Sequence, residues 1–154
     1  MLTSSFTHRT AFTLVELVVT LGAASVVLAT AALAWPRVDA ALRLDAGLHQ
    51  VAVDLQAART LAVASACRVR MVFTPGADRY RREQADEHGT YHRDLDRSLP
   101  AGIRVVTVNS GGSFVFSARG QAENGTITLA DQRGTTRALR LNQRGRVTLL
   151  PAGP

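Results

Sequence analysis

The sequence has no lysine, one cysteine and few aromatic residues, and each shortage excludes something. With Cys67 alone, the chain can form no intramolecular disulfide and no cysteine-based zinc cluster. Aromatic residues make up 5% of the chain, and none interleaves with the arginines near its end, so single-stranded nucleic acid has no stacking platform there. A glycine-rich phosphate loop, a dinucleotide-binding fingerprint and a nucleophile elbow are all missing. The chain therefore reads as a non-enzyme with no cofactor. All 18 positive charges are arginine, against 12 carboxylates, for a formal net charge of +6. The missing lysine reads as a coding bias. At 46% apolar residues the chain is not disordered. A mean hydropathy of +0.05 excludes a polytopic membrane protein, and 154 residues suit one domain.

The apolar residues crowd toward the N-terminus. Residues 1–11 contain His8 and Arg9 and no acid, and from Leu17 to Trp35 no residue is charged. As a helix, that run spans about 28 Å, the thickness of one bilayer core. Arg9 and Arg37 flank it, and Trp35 sits at the level of an interfacial aromatic. Three readings compete: a secretory signal peptide cut near Ala-Thr-Ala-Ala-Leu-Ala-Trp35, a plain single-pass anchor, and a leader cut before the apolar run. Glu16 separates them. A carboxylate inside an apolar helix costs about 2.5–3.5 kcal/mol on insertion scales, and neither a signal peptide nor a plain anchor uses one. In a chain that begins at Phe12, Glu16 lies one helical turn from the new amine and can neutralise it, in its own subunit or a neighbouring one.

Ala11-Phe12-Thr13-Leu14-Val15-Glu16 resembles the prepilin peptidase motif G-F-T-L-[IV]-E of type IV pilins and type II secretion pseudopilins. Alanine stands where that motif has glycine. The resemblance implies cleavage by prepilin peptidase between Ala11 and Phe12, N-methylation of Phe12, and charge neutralisation by Glu16 during assembly. It implies a leader over 1–11, a transmembrane and filament-core helix over 12–36, an amphipathic continuation over 37–66 and a β-rich head over 67–154.

The remaining sequence patterns agree with that division. Leu44, Leu48, Val51, Leu55, Ala58 and Leu61 or Ala62 recur every three or four residues, one helical stripe. Asp45, Gln50, Asp54, Gln56 and Arg59 fall between them and read as its exposed face. The expectation is one helix from Phe12 to about Ala66, loosened at Pro36. Strands are expected over 67–73, 78–84, 103–108, 113–117, 126–130, 136–141 and 146–150, the fourth continuing the third beyond the Asn109–Gly112 turn. Residues 85–100 read as a polar loop. His88 and His92 lie inside it, and Gly89 breaks the helix that a His-x3-His metal pair would need, so no metal is expected. The fold class is α+β, a long N-terminal helix packed on an antiparallel sheet head.

Phe116-Ser-Ala-Arg-Gly120, Gly125-Thr-Ile-Thr-Leu129, Arg140 and Gly145-Arg146-Val147 resemble the head of the GspH/FimT family. The resemblance implies a structural minor pseudopilin at the tip of a type II secretion pseudopilus. It would be held in the bacterial inner membrane with its head in the periplasm, and partnered by prepilin peptidase and other major and minor pseudopilins. The alternative is a FimT-like type IV minor pilin that binds DNA during natural transformation. Its implied contacts are Arg133, Arg137, Arg140, Arg144 and Arg146, a basic cluster with the electrostatic footprint of phosphate binding. The FimT-like motif G-R-x-R is met by Gly145 and Arg146, with Thr148 in place of the second arginine. Nucleic acid is therefore the less favoured partner.

Overall fold

The computed structural model describes residues 13–151. Helix α1 spans Leu14–Ala64. Thr13 caps it, its Oγ1 accepting a hydrogen bond from the Glu16 amide at 3.2 Å, and the Glu16 carboxylate lies in the first turn, where the helix dipole favours an acid. The helix runs on through Pro36. It stops before Ala66, which adopts a left-handed backbone (φ 53°) in the position where glycine usually ends a helix. The chain divides into two compact units, Met1–Val38 and Asp39–Pro154.

The second unit carries eight antiparallel strands in two four-stranded sheets. One sheet has the order β3-β2-β1-β5, from Tyr91–Ser98, Arg79–Ala85, Val69–Phe73 and Ser113–Phe116. The other has the order β4-β6-β7-β8, from Arg104–Val108, Gly125–Ala130, Thr136–Leu141 and Val147–Leu149. The α+β class and the antiparallel head are as expected. Two expectations are corrected. The polar stretch over 85–100 contains β3, paired with β2 from Arg79↔Ser98 to Ala85↔Tyr91. Its side chains are exposed or half-buried throughout, so no apolar alternation marks it. Its backbone ladder and charged side chains make it a guarded edge strand. β5 does not continue β4: the turn at Gly111-Gly112 carries the chain from one sheet to the other, where β5 pairs with β1.

The helical stripe is buried as its spacing demands, with Leu44, Leu48, Val51, Leu55, Ala58 and Ala62 all in the core. β1 alternates as expected, burying Val69, Met71 and Phe73. Phe73 stacks on Tyr80 at 5.1 Å and meets Phe114 edge-on at 6.1 Å. Gly125 leaves room for that cluster: a Cβ there would lie 2.8 Å from Phe114 Cζ.

One position on the expected exposed face is also corrected. Asp54 is only 7% exposed. It accepts a hydrogen bond from the Tyr80 hydroxyl at 2.6 Å and faces Arg97 at 3.3 Å. Gln50 Nε2 donates to the same hydroxyl at 3.1 Å and to the Ser98 carbonyl at 2.9 Å. This network joins α1 to β2 and β3. Burial, then the hydrogen bond to Asp54, pushes Tyr80 well above the ordinary phenol range.

Candidate functional site

Two features stand out as candidates for function, the start of α1 and the arginines of the β4-β6-β7-β8 sheet. Ala11 and Phe12 lie outside the described residues. Glu16, the next residue of that motif, is exposed in the first turn of α1. Beyond it the helix is apolar, with a mean hydropathy of 2.2 over its most apolar stretch, and this chain buries none of that stretch. Leu14, Val18, Leu28 and Trp35 all stand exposed. The hydroxyls of Thr20, Ser25 and Thr30 donate to the carbonyls of Leu17, Leu21 and Val27 at 2.8–2.9 Å. These polar side chains are thus satisfied within the helix itself, as an apolar surrounding requires. The helix is long and apolar enough to cross a membrane.

The five arginines expected as one group do not form one patch. Arg137 turns to the helix and pairs with Asp45 at 3.4 Å. Arg133 sits in the β6–β7 turn, whose amides are received by the buried Asp131. Arg140 lies on the outer face of β7, opposite Thr126 and Thr148. Arg146 directly precedes β8, and Arg144 lies in the turn between them, which is held by Asn142 Oδ1 accepting from both their amides at 3.1 and 2.9 Å. Arg140, Arg144 and Arg146 thus share one corner. Beside Arg140 is a depression of about 450 Å³ lined by Asn109, Asn124 and Thr126.

Arg59, read from the sequence as a solvent-facing residue, has a structural part in this corner. Its Nε donates to the Gly120 carbonyl at 3.0 Å. A Cβ on Gly145 would lie 2.6 Å from Arg59 Cδ and 2.9 Å from that carbonyl, and one on Gly120 would lie 3.3 Å from Arg59 Nε. Both glycines also have positive φ. Two of the three glycine-bearing segments that carry the head resemblance therefore converge on the Arg59 side chain. Those glycines were the signal in the sequence, but they do not say which side chain fills the space.

His88 and His92 lie at the β2–β3 hairpin. His92 Nε2 meets Asp86 Oδ2 at 2.9 Å, and this contact, with the Thr90 and His88 amides, holds the Asp86 carboxyl below its usual range. No group of three metal-ligating side chains occurs among the described residues.

Comparison with known proteins agrees with this architecture. The family model described as type II transport protein GspH matches residues 48–145. Among solved structures, the minor pseudopilin EpsH from the type 2 secretion system of Vibrio cholerae is 11% identical, with a TM-score of 0.62 over 73% of this chain and 99% of that one. The type IV minor pilin FimU of Pseudomonas aeruginosa is 18% identical, with a TM-score of 0.58 over 70% of this chain and 88% of that one. At these identities the likeness shows a shared fold. No curated protein matches by sequence search.

Proposed function

The chain belongs to the GspH family of pseudopilins and pilin-like proteins, which is structural rather than enzymatic, and from that premise we propose that it is a minor pseudopilin of a type II secretion system. In this reading prepilin peptidase cuts between Ala11 and Phe12, and the amine of Phe12 is methylated. The apolar half of α1 holds the subunit in the inner membrane with the head in the periplasm. The helix then enters a filament built with other pseudopilins.

The observation that carries the reading is the apolar half of α1. It is long enough to span a bilayer, is left uncovered by this chain, and carries one acid, Glu16, in its first turn. In hydrocarbon an uncompensated charge is costly, so pairing Glu16 with the Phe12 amine selects the register in which subunits assemble. The test is Glu16→Ala in a secreting strain. The variant is expected to be processed normally and to be depleted from the sheared filament fraction, with reduced secretion. Incorporation at the wild-type level would overturn the mechanism.

A second reading, a type IV minor pilin that holds DNA, draws on the likeness to FimU and on Arg140 and Arg146, which are exposed and have no ion pair among the described residues. It requires salt-sensitive binding of duplex DNA.

A further inference from the structure

The two sheets treat their arginines differently. In the β3-β2-β1-β5 sheet, six arginines lie in strands, and all six have a carboxylate within 4 Å, from Arg70 and Arg81 on Glu83 to Arg97 on Asp54. The strands of the β4-β6-β7-β8 sheet contain no acid at all. Of their three arginines, Arg104, Arg137 and Arg140, Arg137 alone has an ion pair among the described residues, and Arg140 and Arg146, the residue before β8, are both exposed with no described carboxylate within 4 Å. Arg140 faces Thr148, two residues from Arg146, so these like charges are diagonal neighbours across β7 and β8, about 7–8 Å apart at the backbone. A protein this rich in arginine that neutralises one sheet and not the other has left the second sheet's counter-charge to be supplied from outside.

The charged corner adjoins an open edge. Among the described residues β8 pairs only with β7, so no strand covers its other side. The Arg146 carbonyl and the Leu150 amide bond toward β7. By the alternation of an antiparallel ladder, the backbone groups of Val147 and Leu149 face outward. On the helix side of that edge lies a groove of about 410 Å³ between β8 and α1, lined by Ala52, Val53, Val147 and Leu149, with His49 and Gln56 at its polar positions. Val53 is 65% exposed and Leu149 40%. The edge of β8 thus offers backbone hydrogen bonds, an apolar groove on one face and two free guanidinium groups on the other.

We propose that the open edge of β8 receives an extended segment of another protein in which apolar and acidic residues alternate. A strand added there sends alternate side chains to opposite faces, its apolar ones into the groove and its carboxylates to Arg140 and Arg146. A phosphate backbone would use the arginines but has no use for the groove. A second copy of this chain cannot supply the acids. Among the described residues of its second unit, only Glu87 and Glu123 are exposed acids without an ion pair, one in the β2–β3 turn and one between β5 and β6. The inference rests on the geometry of this unit and is independent of which filament carries it.

The test uses the full chain in detergent micelles and fluorescence anisotropy with three probes: an eight-residue peptide alternating valine and glutamate, the same peptide with serine for valine, and a 20-base-pair DNA duplex. The valine–glutamate peptide is expected to bind, and the serine peptide to bind at least about tenfold more weakly. Arg140→Gln with Arg146→Gln should weaken the first peptide about tenfold. Leu149→Pro should also weaken it, because it removes an outward amide and leaves the β7 ladder in place; an unchanged melting temperature confirms the fold of each variant. Equal binding of both peptides, or no loss in either variant, overturns the proposal. So does failure of both peptides to bind while DNA binds and is lost with the two arginines.

Discussion

Asp54→Ala tests whether the buried acid joins helix to sheet. Asp54 accepts the Tyr80 hydroxyl at 2.6 Å, and that hydroxyl's oxygen is already occupied by Gln50. Removing the carboxylate leaves a buried O–H donor without a partner, which costs about 1–3 kcal/mol. Loss of the Arg97 pair adds little, because Arg97 is half-exposed. The expected loss is therefore about 2–3 kcal/mol. At roughly 4 °C per kcal/mol for a unit of this size, the melting temperature falls about 8–12 °C. Asp54→Asn keeps an acceptor for Tyr80 and should cost under about 1 kcal/mol. Tyr80→Phe leaves the carboxylate buried with one distant partner and should cost about 2 kcal/mol. The decisive quantity is the coupling in the double-mutant cycle of Asp54→Ala and Tyr80→Phe, read from thermal or urea melts of the chain in detergent. A coupling of about 1–2 kcal/mol is expected. A coupling below about 0.5 kcal/mol would show that the two side chains do not act together and that the helix is held by its apolar stripe alone.

Two further predictions concern packing and acid stability. Gly125→Ala places a methyl against the fully buried Phe114 ring, itself wedged on Phe73, and overpacking of this kind should cost about 1–3 kcal/mol; an unchanged melt would mean that the aromatic cluster shifts freely. Burial pushes the Glu83 carboxyl up, but hydrogen bonds from Arg81 at 2.6 Å and Arg70 at 2.5 Å outweigh it and leave it below its ordinary value. A group lowered on folding contributes stability above its unfolded value, about 4.3, and loses it as pH falls through the folded value. Stability should thus drop below about pH 4.3, and Glu83→Gln should flatten that part of the curve; identical acid limbs in urea melts would refute it.

The sequence determined on its own whatever depends on the spacing of neighbours along the chain. The stripe from Leu44 to Ala62 buries one helix face because residues three and four apart share a side, and β1 buries Val69, Met71 and Phe73 because strand side chains alternate. The apolar run after Glu16 is long and uncharged whatever the head does. The tertiary structure decided what stands opposite each residue. Asp54 looks like a surface acid until Tyr80, 26 residues away, is placed over it. The β3 strand has no apolar period, and only its pairing with β2 makes it a strand. The arginines near the C-terminus read as one cluster along the chain, yet folding turns Arg137 to the helix and leaves Arg140 and Arg146 with no carboxylate partner among the described residues. Composition counts charges, but register decides which of them meet.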